Sequence, residues 1–462
     1  MKTIVMTLLL LFSFSVHAQV SDEAFETEIN KTNVIHQLEQ VAAGTFKKQQ
    51  FERFNLVMNR LVELRPQNTR YLFSLAKSYA LLDKKTEAYN ALVKLQNAGF
   101  SYPIAENTDF NKVAGTKVYD YIEDGMIANG KPYGTGQSVA KVSEQYGGML
   151  FENIAFDKNR SRFLLGSIRS GEVYFITESG VFKPFIKPQT GENETYGVVD
   201  LVTDPKRDFL WLATASMPQY NGTTQANFGM ATISKFRLST GEWLENIDTS
   251  SLSKPLLFNA LHVTDNGDLY FINPFTREVM TVNEGESQIK PFLNVAQLSS
   301  VKAITSNNDA SILYVSDYDK GLFLINRDTK AYKMLNDPKQ TFLSGIDDLF
   351  YSDGDLIAIQ NQTSPNRILR VLLKEDLFFQ GAVPVESNNE LASAMTKGFV
   401  DGGDVYYIAN SQWGKMDMGG NLQEGKSWDP VHIIKAENNY KIQEFIESQQ
   451  RIADIKKKRG IK

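Results

Sequence analysis

Two carboxylates, an amide, an ammonium and a hydroxyl stand at one recurring place in this chain. Glu152, Asn259, Lys302, Asp347 and Thr396 each open a short apolar run that leads through a polar turn into a second, stronger apolar run, and Val199 holds the same place in one more copy. Groups of these types suit ligation of a hard cation by oxygen, proton transfer at a carboxylate, or hydrogen bonding to a small polar molecule. An apolar core does not select them. Any joint action needs a scaffold that brings distant stretches of chain to one cavity. Asp347 has an acidic neighbour, Asp348. Side chains alternate along a strand, so only one of the pair faces that cavity. The spacing assigns Asp347 to it, whereas counting from the Asp353-Gly354 turn assigns Ile346.

The copies read "ENIAFDKNRSRFLLGSI", "VDLVTDPKRDFLWLATA", "NALHVTDNGDLYFIN", "KAITSNNDASILYVSD", "DDLFYSDGDLIAIQN" and "TKGFVDGGDVYYIAN". They recur about every 45–60 residues, the length of one four-stranded blade. Six such units over residues 132–437 predict a mainly β chain folded as a six-bladed β-propeller. A large β-sandwich does not need six copies of one turn pattern. Residues 137–145, "QSVAKVSEQ", precede the first unit and are expected to pair beside "VHIIKA" and close the ring. In a propeller the innermost strand of each blade begins beside the central channel, so the six recurring positions converge on one end of the axis.

Residues 22–125 change period. In "FERFNLVMNRLVELRP", Phe51, Phe54, Met58, Leu61 and Leu64 fall at three-to-four spacing and Pro66 ends the helix. The next stretch gives two helices whose Leu72, Leu75, Ala76, Tyr79, Ala88 and Leu92 resemble the large-and-small pattern of a tetratricopeptide unit. One such unit cannot bury its own faces, so this helical domain is expected to dock on the β domain after it or on a protein partner. Residues 438–462 read as a C-terminal helix with a basic end, "KKKRGIK".

At the other end, "MKTIVMTLLLLFSFSVHA" has a basic start, an apolar centre and a small-x-small close, the pattern of an export signal over residues 1–18. The expected location is periplasmic or secreted. No later segment is long and apolar enough to span a membrane. The chain has no cysteine, which rules out disulfides and thiolate metal sites. Its formal net charge of -5 gives no basic excess for a nucleic-acid partner.

The strand-turn-strand units, with "FENIAFD", "NALHVTDNGDLYFIN" and "GIDDLFYSDGDLIAI", resemble the senescence-marker-protein/gluconolactonase/luciferin-regenerating family over about two-thirds of the chain. The resemblance implies a divalent, calcium-like cation held by Glu152 and Asp347, with Asp347 also the catalytic base for lactone opening and Asn259 contacting substrate. Lys302 stands where the family has its third ligand, an Asn. An ammonium cannot ligate a cation and repels one. "IAIQNQTSPNRILRV" and "YYIANSQW" resemble a related branch of six-bladed propellers and add Gln360 and Asn361 as substrate-binding candidates beside Asn259, Lys302 and Thr396.

Other chemistries lack their motifs. His36, His262 and His432 stand alone without zinc spacing, and His262 reads as a packed strand residue. No Gly-x-Ser-x-Gly elbow occurs, and "NGKPYGTGQ" has close glycines but no Gly-Lys-Ser/Thr run, so it reads as a linker. The reading is an exported propeller that binds a small polar molecule at its axial pocket and a protein partner through its helical domain. The alternative is a metal-dependent hydrolase of the gluconolactonase type, opening a lactone or related ester.

Overall fold

Six four-stranded antiparallel sheets succeed one another along the chain. Their first strands are Phe151–Asp157, Gly197–Asp204, Asn259–Val263, Val301–Ser306, Ile346–Ser352 and Gly398–Asp401. Each packs against the first strand of the next blade, and the sixth returns to the first. The ring is a six-bladed β-propeller. The computed structural model describes residues 22–295, 297–338, 340–361, 363–438 and 442–461, with side chains of the final helix from residue 450 onward. The proposed export signal, residues 1–18, lies outside the described residues.

Closure agrees with the sequence expectation. Strand Gln137–Val142 pairs antiparallel with Val431–Ala436 and forms the outer edge of blade six, so one blade draws strands from both ends of the propeller. The rest of the predicted 137–145 stretch leaves the sheet for a short helical turn, Glu144–Met149.

Blade packing explains the composition of the strands. Second strands such as Ile312–Asp317 are buried along their whole length, because each sheet has a neighbour on both faces. Between blades four and five, Tyr314, Leu322 and Leu324 meet Ile346, Leu349 and Leu356 in one apolar cluster. Burying each such side chain contributes roughly 1.5–3 kcal/mol.

The helical domain consists of α1 (Asp22–Lys31), α2 (Ile35–Lys47), α3 (Phe51–Leu64), α4 (Thr69–Leu81), α5 (Lys85–Asn97) and α6 (Lys117–Asn129). Asn68 caps α4 by accepting from the N–H groups of Arg70 and Tyr71, and Thr116 caps α6. Successive helices from α2 to α6 pack on one another. The helix α7 (Ile442–Arg459) returns to this domain. Its Arg459 pairs with Asp120 at 3.3 Å and Asp124 at 2.6 Å, and Ile455 packs on the helical core. The basic end of the predicted C-terminal helix is thus tied to α6 through Arg459.

The domain docks on the propeller itself. Phe342 leaves the propeller to join the helical core and meets Phe100 edge-on, with ring centres 5.9 Å apart. Arg367 lies 4.1 Å over the Phe100 ring and donates to the Ala98 carbonyl at 2.6 Å. Gln67 accepts from Leu343 N–H and from the Ser344 hydroxyl, Arg65 pairs with Asp319 at 3.5 Å, and Ser101 N–H donates to Ser364 O. All of these contacts reach turns of blades four and five at the end where the first strands begin.

Candidate functional site

Near the start of each first strand the pairing with the second strand skips a residue. The skipped residues are Glu152, Val199, Lys302 and Asp347 in blades one, two, four and five. In blade six Gly398 pairs with Tyr407 while Thr396 N–H donates to Ile408 O, which leaves Lys397 skipped. In blade three the irregularity takes in Ala260 and Leu261, and Ala260 has a left-handed φ of 57°. A bulge of this kind bends the strand and re-aims the extra side chain. Here it turns those side chains toward the axis, at what we call the upper mouth.

This register corrects the sequence assignment in two blades. Asn259 and Thr396 each stand one residue before the axial position, which Ala260 and Lys397 take. Asn259 pairs with Ile272 and keeps a buried Oδ1 without a hydrogen-bond partner among the described residues. The Thr396 hydroxyl donates to the Glu152 carbonyl at 3.4 Å and so links blade six to blade one. In the acidic pair Asp347 is the bulged residue and faces Lys302, whereas Asp348 pairs with Ile359 and meets Lys397, so the bulge brings both acids to the axis where strict alternation admits one.

At the upper mouth, Glu152 Oε1 accepts the Gln412 N–H at 3.0 Å. Burial pushes its carboxyl up to about 7, although Ser411 and the N–H groups of Gln412 and Trp413 favour the ionised form. Asp347 is also raised by burial, opposed by Lys302 and by Asn361. Asn361 Nδ2 donates to Asp347 Oδ2 at 3.1 Å, and Lys302 Nζ stands 4.0 Å from Asp347 Oδ1 and 5.5 Å over the Tyr318 ring. Burial raises the Tyr318 hydroxyl, with Asp347 and the Arg70 of α4 both acting on it. The first turn of α4 therefore stands beside this mouth.

The remaining candidate, Gln360, is fully buried and turned away from the mouth. Its amide nitrogen donates to the Phe342 and Ser344 carbonyls, and its oxygen accepts from Arg367 Nε at 2.6 Å. It holds the docking turn and sits next to Asn361, so the domain joint and the Asp347 partner are consecutive residues.

Below the mouth, Lys397 reaches across the channel. Its ammonium donates to the Lys302 carbonyl at 3.2 Å and to Asp348 Oδ1 at 3.3 Å, and lies 3.9 Å from Asp200 Oδ2. Burial works against this charge, but Asp348 and Asp200 hold its pKa above the ordinary lysine value. Burial pushes Asp348 up to about 6. Alignment of the sequence units on their turns misses both Lys397 and Asp200.

The donor set does not fit a divalent cation. Glu152 and Asp347 are present, yet one Glu152 oxygen is held by a backbone donor, and the third position is an ammonium. Among the described residues no group of three or more His, Asp or Glu side chains is placed to hold a metal ion.

No protein-family model matches the sequence, and neither does any curated protein. Solved structures do match in architecture. Luciferin-regenerating enzyme aligns over 66% of this chain and 95% of its own, with a TM-score of 0.45 and 10% identity. Virginiamycin B lyase from Staphylococcus aureus aligns over 65% and 99%, with a TM-score of 0.44 and 11% identity. A protein assigned as a gluconolactonase aligns over 66% and 92%, with a TM-score of 0.42 and 14% identity. The likeness is one of fold. It carries no chemistry to this chain.

Proposed function

We propose that the upper mouth binds a small polar molecule without a divalent cation, beneath an edge of the helical domain. The observation that carries this reading is Lys302, whose ammonium stands 4.0 Å from Asp347 where a cation site needs another oxygen. The groups around it offer both donors and acceptors. Lys302 and Asn361 donate, and Glu152 and Asp347 accept. A molecule carrying several hydroxyl, carboxyl or amide groups satisfies that set. Opening of a lactone or related ester by a bound cation, the alternative, requires Lys302 to leave its place.

The test is a thermal-shift panel of small polyols, hydroxy acids and amides in the presence of chelator. At least one member is expected to raise the Tm of the wild type and not that of Lys302→Ala. A response that appears only when calcium is supplied contradicts the reading.

Export belongs to the same proposal and rests on residues 1–18. The mature chain is expected to begin at Gln19, and an intact mass that includes Met1 on the released protein speaks against it. Recruitment of a protein partner by the helical domain is a further proposal; Phe342, Arg367 and Arg459 already take part of its surface.

A further inference from the structure

We propose that the axial channel holds a second ligand chamber at its lower mouth, and that this chamber takes a small organic ammonium ion with an apolar body. It lies along the far halves of the first strands, on the other side of Lys397 from Glu152 and Lys302, and encloses about 260 Å³. That volume admits one small molecule.

The floor sets the charge of the ligand. Lys397 meets two carboxylates there, Asp348 at 3.3 Å and Asp200 at 3.9 Å, so one negative charge is left over. Backbone N–H groups fix both acids. Asp200 accepts from Leu201 and Leu261, and Asp348 from Leu349 and Gly398. Each carboxylate keeps acceptor capacity beyond these bonds. An anion meets a surplus of like charge, with the Lys397 ammonium of the floor already paired. A purely apolar molecule strips water from the carboxylates and returns nothing. An ammonium ion supplies both the charge and the donors.

The walls set its body. Phe156 and Phe399 line the chamber as a stacked pair with ring centres 5.3 Å apart, and Phe350, Leu349 and Val400 add apolar surface. Aromatic walls favour a cation further. His262 adds no competing charge, because burial holds its imidazole neutral, with a pKa near 4, and its Nε2 lies 2.8 Å from the Ser306 hydroxyl. At the rim Lys158 is paired with Asp401 at 2.9 Å.

Calorimetric titration with phenethylammonium, 2-phenylethanol and 3-phenylpropionate tests the assignment on the full chain. The ammonium is expected to bind at least tenfold tighter than the alcohol, and the carboxylate not to bind. Val400→Trp, which fills the chamber from its wall, abolishes binding. Asp200→Asn weakens it at least tenfold, and Glu152→Gln at the upper mouth leaves it unchanged, with thermal melts confirming that each variant is folded. The proposal is overturned if the ammonium does not bind or the alcohol binds equally well. Loss of binding in Glu152→Gln with retention in Val400→Trp overturns it too, by placing the ligand at the upper mouth.

Discussion

Lys397→Met is expected to lower the stability of the chain by about 3–5 kcal/mol at pH 8, the usual cost of removing one partner from a buried charge cluster. The ammonium lies between Asp348 at 3.3 Å and Asp200 at 3.9 Å and also bonds the Lys302 carbonyl, so blades two, four, five and six meet through one side chain. Methionine fills similar space but leaves two carboxylates facing each other without a cation. They escape that cost by taking up a proton, and Asp348 already titrates near 6. The loss is therefore expected to shrink between pH 8 and pH 5. Urea denaturation of both proteins at the two pH values measures it. A loss below 1 kcal/mol at pH 8 means that Lys397 is not the charge that holds the channel together.

Glu152 is expected to make the wild type less stable as pH rises toward neutrality. Its folded pKa, about 7, lies above the ordinary value of 4.5, so the fold favours the protonated acid. The stabilisation is complete below pH 4.5 and is lost as pH passes through about 7. A shift of this size corresponds to about 3 kcal/mol between those limits. Asp348 moves in the same direction, so the informative quantity is the difference between the wild type and Glu152→Gln, which keeps the neutral shape. The variant is expected to match the wild type near pH 4.5 and to exceed it by about 3 kcal/mol at pH 8. Parallel stability curves for the two proteins refute the assigned cause.

The fold was legible because six apolar strand pairs recur at blade length, and the closing strand lay where a ring needs one. Single axial residues were harder to read, because the turn after each first strand varies in length. Asp157 and Arg162 flank the turn in blade one, Val263 and Leu269 in blade three, and Asp401 and Asp404 in blade six. Aligning on turns therefore misplaces some bulges by a residue, and it picks Asn259 and Thr396 where the backbone selects Ala260 and Lys397. Ala260 adopts a left-handed conformation with no glycine to mark it. Gln360 belongs to the domain joint for a reason invisible in the local sequence, since its partner Arg367 reaches back to Ala98 and Phe100. The pairing of Arg459 with α6 was hidden in the same way by distance along the chain.

The central claim is that an ammonium, and not a divalent cation, completes the upper mouth. Calorimetric titration of calcium into the wild type, Lys302→Asn and Glu152→Gln tests it most directly. The wild type is expected to give no binding heat below millimolar calcium, because a dication about 4 Å from the Lys302 ammonium meets strong repulsion in a site of intermediate dielectric. Lys302→Asn, which supplies an oxygen in its place, is expected to gain affinity. Micromolar calcium binding by the wild type, weakened in Glu152→Gln, contradicts the account and assigns the mouth to a metal.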